Sequence, residues 1–263
     1  MEQLAMRIAA SGMTNAQATV DTISQNIANL RTTAFKRHIT VNKTTPYRIE
    51  LRPGTVASDT GALVPSGIQI GTGVKLSAIS RILTEGQMTQ TESQLDMAIH
   101  QKGYFQIAGP NDETIYTRDG NFTRNELGQI VTQEGYLLIP TITIPQNAVD
   151  VTVNTIGEVI VKLDGVIAPT TIGQIQIATF INENGLEELG ENYFGETPAS
   201  GNPVVGIAGS NGFGKILQSN LENSNVEVVS ELTELISAQR AYEMNSRIIS
   251  AEDQMLSALT NLR

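Results

Sequence analysis

Few residues in this chain have the chemistry of a catalytic centre. The 263 residues include no cysteine, which excludes a thiol nucleophile, a thiolate zinc site and a disulfide. The two histidines, His38 and His100, lie far apart in sequence, so a histidine-rich metal site is not expected. No Gly-x-Ser-x-Gly nucleophile motif occurs either. His100 follows an apolar, strand-like run, and we interpret it as a surface or half-buried residue.

Acidic residues offer the next chemistry, because a pair of carboxylates in a cleft can cleave a glycosidic bond. The candidates are Asp112, Glu113, Asp119 and Glu126, all in turn-like contexts where solvated acids are common. An enzyme such as a peptidoglycan hydrolase would need two of them together in a cleft, and nothing in the sequence favours that. We predict that the chain is not an enzyme and holds no metal or cofactor.

The segment from Gly209 to Ile216 approaches a phosphate-binding loop, since three glycines precede Lys215. That loop requires Ser or Thr directly after the lysine as a magnesium ligand, and Ile216 cannot serve. No apolar strand precedes the segment, and no helix is predicted to follow it. We interpret it as a glycine-rich turn.

Composition narrows the remaining classes of protein. The net charge of −10 argues against a nucleic-acid binder, which needs cationic contacts to phosphate. A hydrophobic fraction of 40% with 17% charged residues is typical of a globular chain. No apolar run reaches the ~18 residues that span a bilayer. The first residues show no cleaved signal peptide, so we expect a cytoplasmic protein or one exported without such a peptide.

Hydrophobic periodicity predicts a long helix at each end of the chain. In the first, small residues fill much of the space between apolar ones, which favours close approach of a partner helix. The apolar positions of the first helix are Leu4, Ile8, Met13, Val20, Ile23, Ile27 and Leu30. Those of the second, from Val226 to Leu262, are Val228, Leu232, Leu235, Tyr242, Ile249 and Leu256. Ser224 or Asn225 is the predicted N-cap. We expect the two terminal helices to pack together.

Between the helices the pattern changes to alternation with turn signals, which predicts an antiparallel β-domain. The predicted strands are Tyr104–Ala108, Thr114–Thr117, Gln129–Thr132, Tyr136–Ile139, Val149–Val153, Glu158–Leu163, Gln174–Phe180 and Gly212–Leu217. Residues 44–75 contain three prolines and five glycines among Thr and Ser, and we expect them to be extended with little periodic structure. The fold class is therefore α+β.

Three blocks of sequence resemble the signatures of one family, the rod and hook (axial) proteins of bacterial flagella. The first block runs Ser24-Gln-Asn-Ile-Ala-Asn-Leu-Arg-Thr-Thr-Ala-Phe-Lys36. The second combines Leu95-Asp-Met-Ala-Ile-His-Gln-Lys-Gly-Tyr-Phe105 with Tyr116-Thr-Arg-Asp-Gly-Asn-Phe122. The third combines Ser224-Asn-Val226 with Ala238-Gln-Arg-Ala-Tyr-Glu-Met-Asn-Ser246. The resemblance extends over nearly the whole chain. Residues 63–74 and 185–193 are similar to segments of the distal rod members.

The resemblance implies a subunit of a helical homopolymer, in which the terminal helices form a coiled-coil-like inner tube around an export channel. The expected domains are 1–32 with 222–263 (inner tube), 33–80 (a connecting region with the extended stretch 46–66) and 81–221 (the outer β-rich domain). The implied partners are further copies, proximal rod proteins, the hook protein, the surrounding L/P ring and the flagellar type III export apparatus. The implied location is the periplasm-spanning rod of the basal body.

The residues that we expect at subunit interfaces come from the helices, the first signature block and the extended stretch. They are Leu4, Ile8, Ile23, Asn26, Ile27, Asn29, Phe35, Pro53, Pro65, Val228, Leu232, Leu235, Gln239, Arg240, Tyr242, Asn245, Ile249 and Leu256. Alternatives to the distal rod are another axial subunit, or a discrete coiled-coil oligomer that carries a β binding domain. Ala34 stands where the family has glycine before Phe, which argues against a positive-φ turn there. Gln101 stands where the family has the first glycine of a G-x-G pair, so we expect that turn to differ in shape.

Overall fold

The computed structural model describes residues 2–54, 66–110, 113–165 and 168–261, and it has the α+β architecture predicted from the sequence. Helix α1 spans Glu2–Ala28, and helix α2 spans Val228–Asn261. The strands of the first half are β1 His38–Thr44, β2 Arg48–Leu51, β3 Ile68–Ile70, β4 Val74–Arg81, β5 Met88–Gln90, β6 Met97–His100, β7 Tyr104–Ala108, β8 Thr114–Thr117, β9 Thr123–Arg124 and β10 Ile130–Val131. Those of the second half are β11 Leu137–Ile139, β12 Ala148–Val153, β13 Glu158–Leu163, β14 Thr170–Gln174, β15 Gln176–Thr179, β16 Glu187–Gly190, β17 Tyr193–Gly195, β18 Val204–Ile207, β19 Lys215–Gln218 and β20 Asn220–Glu222.

The chain divides into two compact units. The helical unit comprises Met1–Ala28, His38–Ile82 and Glu227–Arg263. The β unit comprises Asn29–Arg37 and Leu83–Val226. Each unit is therefore assembled from segments that are far apart in sequence.

In the helical unit α1 packs along α2, as the periodicity predicts. Small side chains lie in the seam: Ala9, Ala16 and Ala238 are all buried. A side chain at Gly12 would collide with Asn245 of α2, because its Cβ would lie 2.8 Å from the Asn245 amide. Small residues thus bring the two backbones close together, and Ile23 fills the seam as a large buried side chain.

Two strand pairs complete the helical unit. β1 pairs with β4, and the Thr40 hydroxyl of β1 lies 3.2 Å from the Thr19 hydroxyl of α1. β2 pairs with β3, so that Leu51 lies opposite Ile68. Residues 44–75 are extended where they are described, as expected, but the prediction of little regular structure was wrong. The β2–β3 pair escaped the sequence analysis because three- and four-residue strands are too short to show alternation.

The core of the β unit is one branched antiparallel sheet. Its strand order is β16-β17-β8-β7-β11-β10-β9, and β15 joins β7 to β18. A three-stranded sheet, β12-β13-β14, packs its Val159 and Val161 into the same apolar cluster. The rings of Phe105 and Phe122 meet edge to face in this cluster, 5.1 Å apart. The predicted strands that became β7, β8 and β13 have the bounds that the sequence indicated.

The turns at Ala34 and Gln101 have a left-handed backbone although neither residue is glycine. Ala34 has φ +58° and Gln101 has φ +73°. The prediction against a positive-φ turn at Ala34 was therefore wrong. A side chain in this region clashes with its own backbone, and surrounding contacts hold it there: the Ala34 N–H donates to the Glu222 carbonyl, and the Gln101 carbonyl accepts a bond from Arg118.

Replacing Gln101 with glycine is expected to stabilise the β unit, because the Gln101 side chain is exposed and its positive φ stores strain of about 1 kcal/mol. The matched control is Gln90→Gly in β5, where an exposed glutamine has an ordinary strand conformation and glycine costs about 0.5–1 kcal/mol. Chemical denaturation should show opposite signs for the two variants. A loss of stability in Gln101→Gly would contradict the prediction.

Candidate functional site

Helix α2 carries an apolar face that the described part of the chain leaves exposed. Its members recur at steps of three, four or multiples of these, so they share one side of the helix. They are Val229 (72% exposed), Leu232 (45%), Ile236 (50%), Met244 (61%), Ile248 (47%) and Met255 (53%). We call these residues the outer stripe. Single exposed apolar residues are ordinary, but several of them along one side of a long helix mark an interaction surface.

The seam with α1 uses a different side of α2. Glu231 and Ala238 are buried there, and Leu235, Asn245 and Ile249 are half-buried. The sequence analysis placed Leu232 and Leu235 in one stripe. The structure separates them, because Leu235 lies towards the seam while Leu232 lies in the outer stripe.

The other predicted interface residues fall into three groups. Ile23, Asn26 and Phe35 are buried within the subunit. Leu4, Ile27, Asn29 and Leu256 are half-buried. Ile8, Pro53, Val228, Gln239, Arg240 and Tyr242 are exposed. Pro65 lies outside the described residues. Val229, Ile236, Met244, Ile248 and Met255 are exposed apolar residues outside the predicted set, although their helical spacing could have indicated them.

Two open grooves flank the seam between the helices. One has a volume of about 380 Å³ and is lined by Gly12, Thr19, Ala238, Ala241 and Asn245, among others. The other has a volume of about 400 Å³ and is lined by Gln17, Val20, Gln239, Tyr242 and Glu243. Both grooves are open to solvent, so their shape suits a helix or side chains docking from outside better than a small ligand.

Asn26, from the first signature block, fixes the end of α1 within the helical unit. Its side chain is fully buried, accepts a bond from the His38 N–H at 2.9 Å and donates to the His38 carbonyl at 2.8 Å. It also donates to the buried Glu231 carboxylate of α2 at 3.1 Å. One amide thereby joins α1, α2 and the start of β1. This explains a signature asparagine that the sequence analysis placed at a subunit interface.

The predicted N-cap of α2 was wrong. The helix begins at Val228, and the Glu231 N–H closes its first turn on the Glu227 carbonyl. Asn225 has another role: its Oδ1 accepts a bond from the Arg37 N–H at 2.7 Å, and its Nδ2 donates to the Thr84 carbonyl at 3.0 Å. A capping side chain and a tertiary tether look alike in sequence, because both are short amides before a helix.

A buried ionic cluster lies in the β unit. The Glu222 carboxylate is 2.5 Å from the Lys36 ammonium and 2.8 Å from the Arg118 Nε. The side chains of all three are at most 6% exposed. The Gly86 N–H donates to Glu222 at 3.0 Å, and the Arg118 guanidinium donates to the carbonyls of Ile99 and Gly103. The cluster joins the first signature block, through Lys36, to the second, through Arg118.

The charges in this cluster oppose the cost of burial. Burial alone would raise the pKa of Glu222, but Arg118, Lys36 and the Gly86 N–H outweigh it and hold that pKa below its usual 4.5. Burial, together with the Arg118 charge, lowers the pKa of Lys36, while Glu222 acts in the opposite direction. The carboxylate is therefore ionised at neutral pH.

The residues considered for catalysis take structural positions. Residues 209–214 form a turn before β19, in which the Gly209 N–H donates to the Gly214 carbonyl, so the glycine-rich turn is confirmed. His100 is about half exposed beside Glu85. Glu113 and Glu126 are exposed, and the Asp119 carboxylate accepts a bond from the Asn121 N–H in a turn. Asp112 lies outside the described residues.

Among the residues that the structure describes, no group of three or more His, Asp or Glu could hold a metal ion. In the same part of the chain, neither helix is long and apolar enough to cross a membrane.

Glu222→Gln is expected to lower the free energy of unfolding of the β unit by about 3–5 kcal/mol at pH 7, because it leaves two buried cations undercompensated. The lowered pKa of Glu222 means that its contribution is present above pH 4.5 and is lost as the pH falls through the folded-state pKa. The stability difference from the unaltered chain should therefore shrink below about pH 4.5. Urea denaturation followed by circular dichroism measures it, with the exposed Glu187→Gln as control. A difference that stays constant from pH 7 to pH 3 would refute this account.

Known proteins resemble this chain in sequence over nearly its whole length. Three family models match: "Flagella basal body rod protein" over residues 6–36, "Flagellar hook protein FlgE/F/G D1 domain" over 98–161 and "Flagellar basal body rod FlgEFG protein C-terminal" over 217–262. The flagellar basal-body rod protein FlgG of Caulobacter vibrioides is 52% identical over 98% of this chain and 99% of its own length. The FlgG proteins of Agrobacterium fabrum (43% identical; 97% of this chain, 98% of its own) and Borreliella burgdorferi (41%; 98% of each) are also similar. The chain therefore belongs to the FlgG family of flagellar basal-body rod proteins.

Proposed function

We propose that this chain polymerises into the distal rod of the flagellar basal body. The rod is a stiff hollow shaft that transmits torque from the motor to the hook and encloses the export channel. The observation that carries the proposal is the outer stripe: a member of a rod family presents a row of apolar residues on one side of a helix that its own described residues leave open.

Assembly would be driven by burial of this stripe. Burying the exposed half of a Leu, Ile or Met side chain contributes about 1 kcal/mol. The six stripe residues together contribute several kcal/mol, which a polymer repeats at every subunit. In this proposal the stripe of one copy docks against a groove of the next copy. The stripe and the grooves are different surfaces, so this contact is heterologous. Heterologous contacts can build open helical filaments rather than closed dimers.

The proposed division of labour follows the predicted domains. We propose residues 1–32 and 222–263 for the inner tube, 33–80 for the connecting region and 81–221 for the outer β domain. The compact units place the borders slightly differently, because 29–37 and 222–226 belong to the β unit and 38–82 to the helical unit. The exposed members of the predicted interface set, such as Ile8, Leu232 and Tyr242, contact neighbouring subunits directly. Buried members, such as Ile23 and Asn26, act by shaping the helical unit that presents them.

The proposed partners are further copies of the chain, proximal rod proteins, the hook protein and the surrounding L/P ring. The chain reaches its place in the periplasm-spanning rod through the flagellar type III export apparatus without a cleaved signal peptide. The function requires no cofactor and no catalysis.

Leu232→Asp is expected to abolish polymerisation while leaving the fold intact. In the free subunit position 232 is exposed, so the aspartate stays hydrated, but assembly would bury an unpaired charge at a cost of several kcal/mol. Leu127→Asp is the control, because Leu127 is 73% exposed in a turn of the β unit. Electron microscopy of concentrated protein should show tubes for the unaltered chain and for Leu127→Asp only.

Two outcomes would count against the proposal. Normal tubes from Leu232→Asp would remove the outer stripe from the interface. An unaltered chain whose mass stays finite and independent of concentration would favour the discrete coiled-coil oligomer.

The extended stretch is proposed to brace neighbouring subunits against bending. Its strand β2 pairs with β3, and Leu51 lies opposite Ile68, so deleting residues 53–66 leaves Arg52 and Gly67 as a two-residue hairpin turn. The shortened subunit should fold and polymerise, but into a more easily bent tube. The bending stiffness of the tubes can be measured from their contours in micrographs. Stiffness equal to that of full-length tubes would show that the segment is only a linker.

A further inference from the structure

The loop 29–37 is a short segment at which the chain leaves the helical unit, enters the β unit and returns. It follows α1 of the helical unit, belongs to the β unit and leads back to β1 of the helical unit. The chain also passes between the units after residue 82 and after residue 226. At both ends of the loop, any force on α1 or β1 reaches residues 29–37 along the backbone.

Polar contacts of good geometry hold this loop in the β unit. The Ala34 N–H donates to the Glu222 carbonyl at 2.7 Å, and the Asn192 amide donates to the Thr33 carbonyl at 2.9 Å. Lys36 binds the Glu222 carboxylate at 2.5 Å and the Thr84 carbonyl at 3.0 Å. The loop residues Ala34, Phe35 and Lys36 are at most 9% exposed.

These contacts converge on the residues beside the other two passages. The Gly86 N–H donates to Glu222, and Asn225 joins the Arg37 N–H to the Thr84 carbonyl. Residues 84–86 follow the passage after residue 82, and residues 222–225 precede the passage after 226. Glu222 and Asn225 thus tie together all the segments of the β unit that lead to the helical unit.

We infer that Lys36 and Glu222 form a load-bearing latch that locks the loop 29–37 into the β unit. Force on the loop passes from the Lys36 ammonium to the Glu222 carboxylate, then to the Arg118 guanidinium, and from it to the carbonyls of Ile99 and Gly103. Lys36 and Asn225 hold the loop 29–37 in position while torque passes through the subunit. The inference rests on the proposed function, because that function is the source of the torque.

A buried ion pair suits this role better than an apolar contact. Apolar burial has no direction, so a hydrophobic loop could slide under force with little change in energy. Pulling Lys36 away would separate its buried ammonium from both of its acceptors, the Glu222 carboxylate and the Thr84 carbonyl, and the loss is larger than the net value of a surface pair. The latch therefore resists displacement along every direction that breaks its geometry.

The test uses Lys36→Met in the purified full-length chain. Methionine fills much of the lysine volume, while Arg118 and the Gly86 N–H continue to compensate Glu222, so the fold should persist. The N–H groups of Ala34 and Arg37 should exchange with solvent about 10- to 100-fold faster, as expected for loss of one charged hydrogen bond. The N–H groups of β7 and β8 should keep their exchange rates. The control is Lys162→Met, an exposed lysine of β13.

In cells, Lys36→Met should support rod assembly, but swimming speed should fall more steeply than in the unaltered strain as the medium is made more viscous. A purely structural defect would lower the number of rods without this dependence on load. Should Lys36→Met fail to fold, Asn225→Ala separates the ion pair from the amide tether, because it removes the acceptor of the Arg37 N–H while the Lys36–Glu222 pair remains. If the ion pair holds the loop, the Ala34 N–H of Asn225→Ala should exchange as slowly as in the unaltered chain, with β7 and β8 unchanged.

The outcomes are distinguishable. In Lys36→Met, exchange at Ala34 and Arg37 as slow as in the unaltered chain would overturn the latch, whatever the chain does in a flagellum. In Asn225→Ala, faster exchange at Ala34 would overturn it as well. Load-independent swimming of Lys36→Met would overturn its mechanical role. Failure of the unaltered gene to restore rods in a strain that lacks its own distal rod protein would instead refute the proposed function, and the exchange result would stand apart from it.

Discussion

The Glu222 carboxylate sets the constraint on which the β unit depends. It is 1% exposed, and a bare carboxylate in an apolar interior is prohibitively costly. Two cations and a backbone N–H must therefore reach it, and they come from residues 36, 86 and 118. Meeting this one electrostatic requirement brings the loop after α1, the residue that follows β8 and the last strand β20 to a common point. The turns at Ala34 and Gln101, which have positive φ, donate bonds to or accept bonds from residues of the same cluster and are held by it.

The two kinds of attraction in the molecule are separated by location. Inside the β unit, directional ionic and amide contacts fix the loop 29–37 at defined atoms. On α2, the outer stripe offers non-directional apolar area that gains free energy only when a partner covers it. This arrangement suits a subunit that keeps its internal geometry while its assembly contacts form and adjust. The net charge of −10 opposes indiscriminate association through the stripe, because copies repel one another until a specific contact forms.

The sequence predicted the features that depend on local patterns. Long amphipathic stretches gave α1 and α2 to within two residues of their bounds, and alternation gave β7, β8 and β13. Strands such as β9 and β10 have two residues each, too few for a period of two to be recognised. Pairings such as β6 with β19 and β5 with β20 join distant segments, which no local pattern encodes.

The ionic cluster is hidden for the same reason: Lys36 and Arg118 stand in separate signature blocks, and Glu222 lies 186 positions after Lys36. Which apolar side of α2 faces α1 depends on the small residues of the partner helix, so periodicity alone merged Leu232 with Leu235.

The composition of the outer stripe also bears on how specific an assembly contact would be. Arg240 lies four residues after Ile236 and four before Met244, so a cation interrupts the apolar row, and Arg247 lies next to Ile248. A guanidinium carried into an interface must find an acceptor, or its desolvation cancels the gain from neighbouring apolar area. A surface with apolar area on both sides of a fixed charge therefore accepts only the register in which that charge is met. An uninterrupted row of Leu and Ile would bind a neighbouring helix in several registers with similar energy, because apolar contact is insensitive to sliding. The charges therefore weaken the contact between helices, but they select one packing among many.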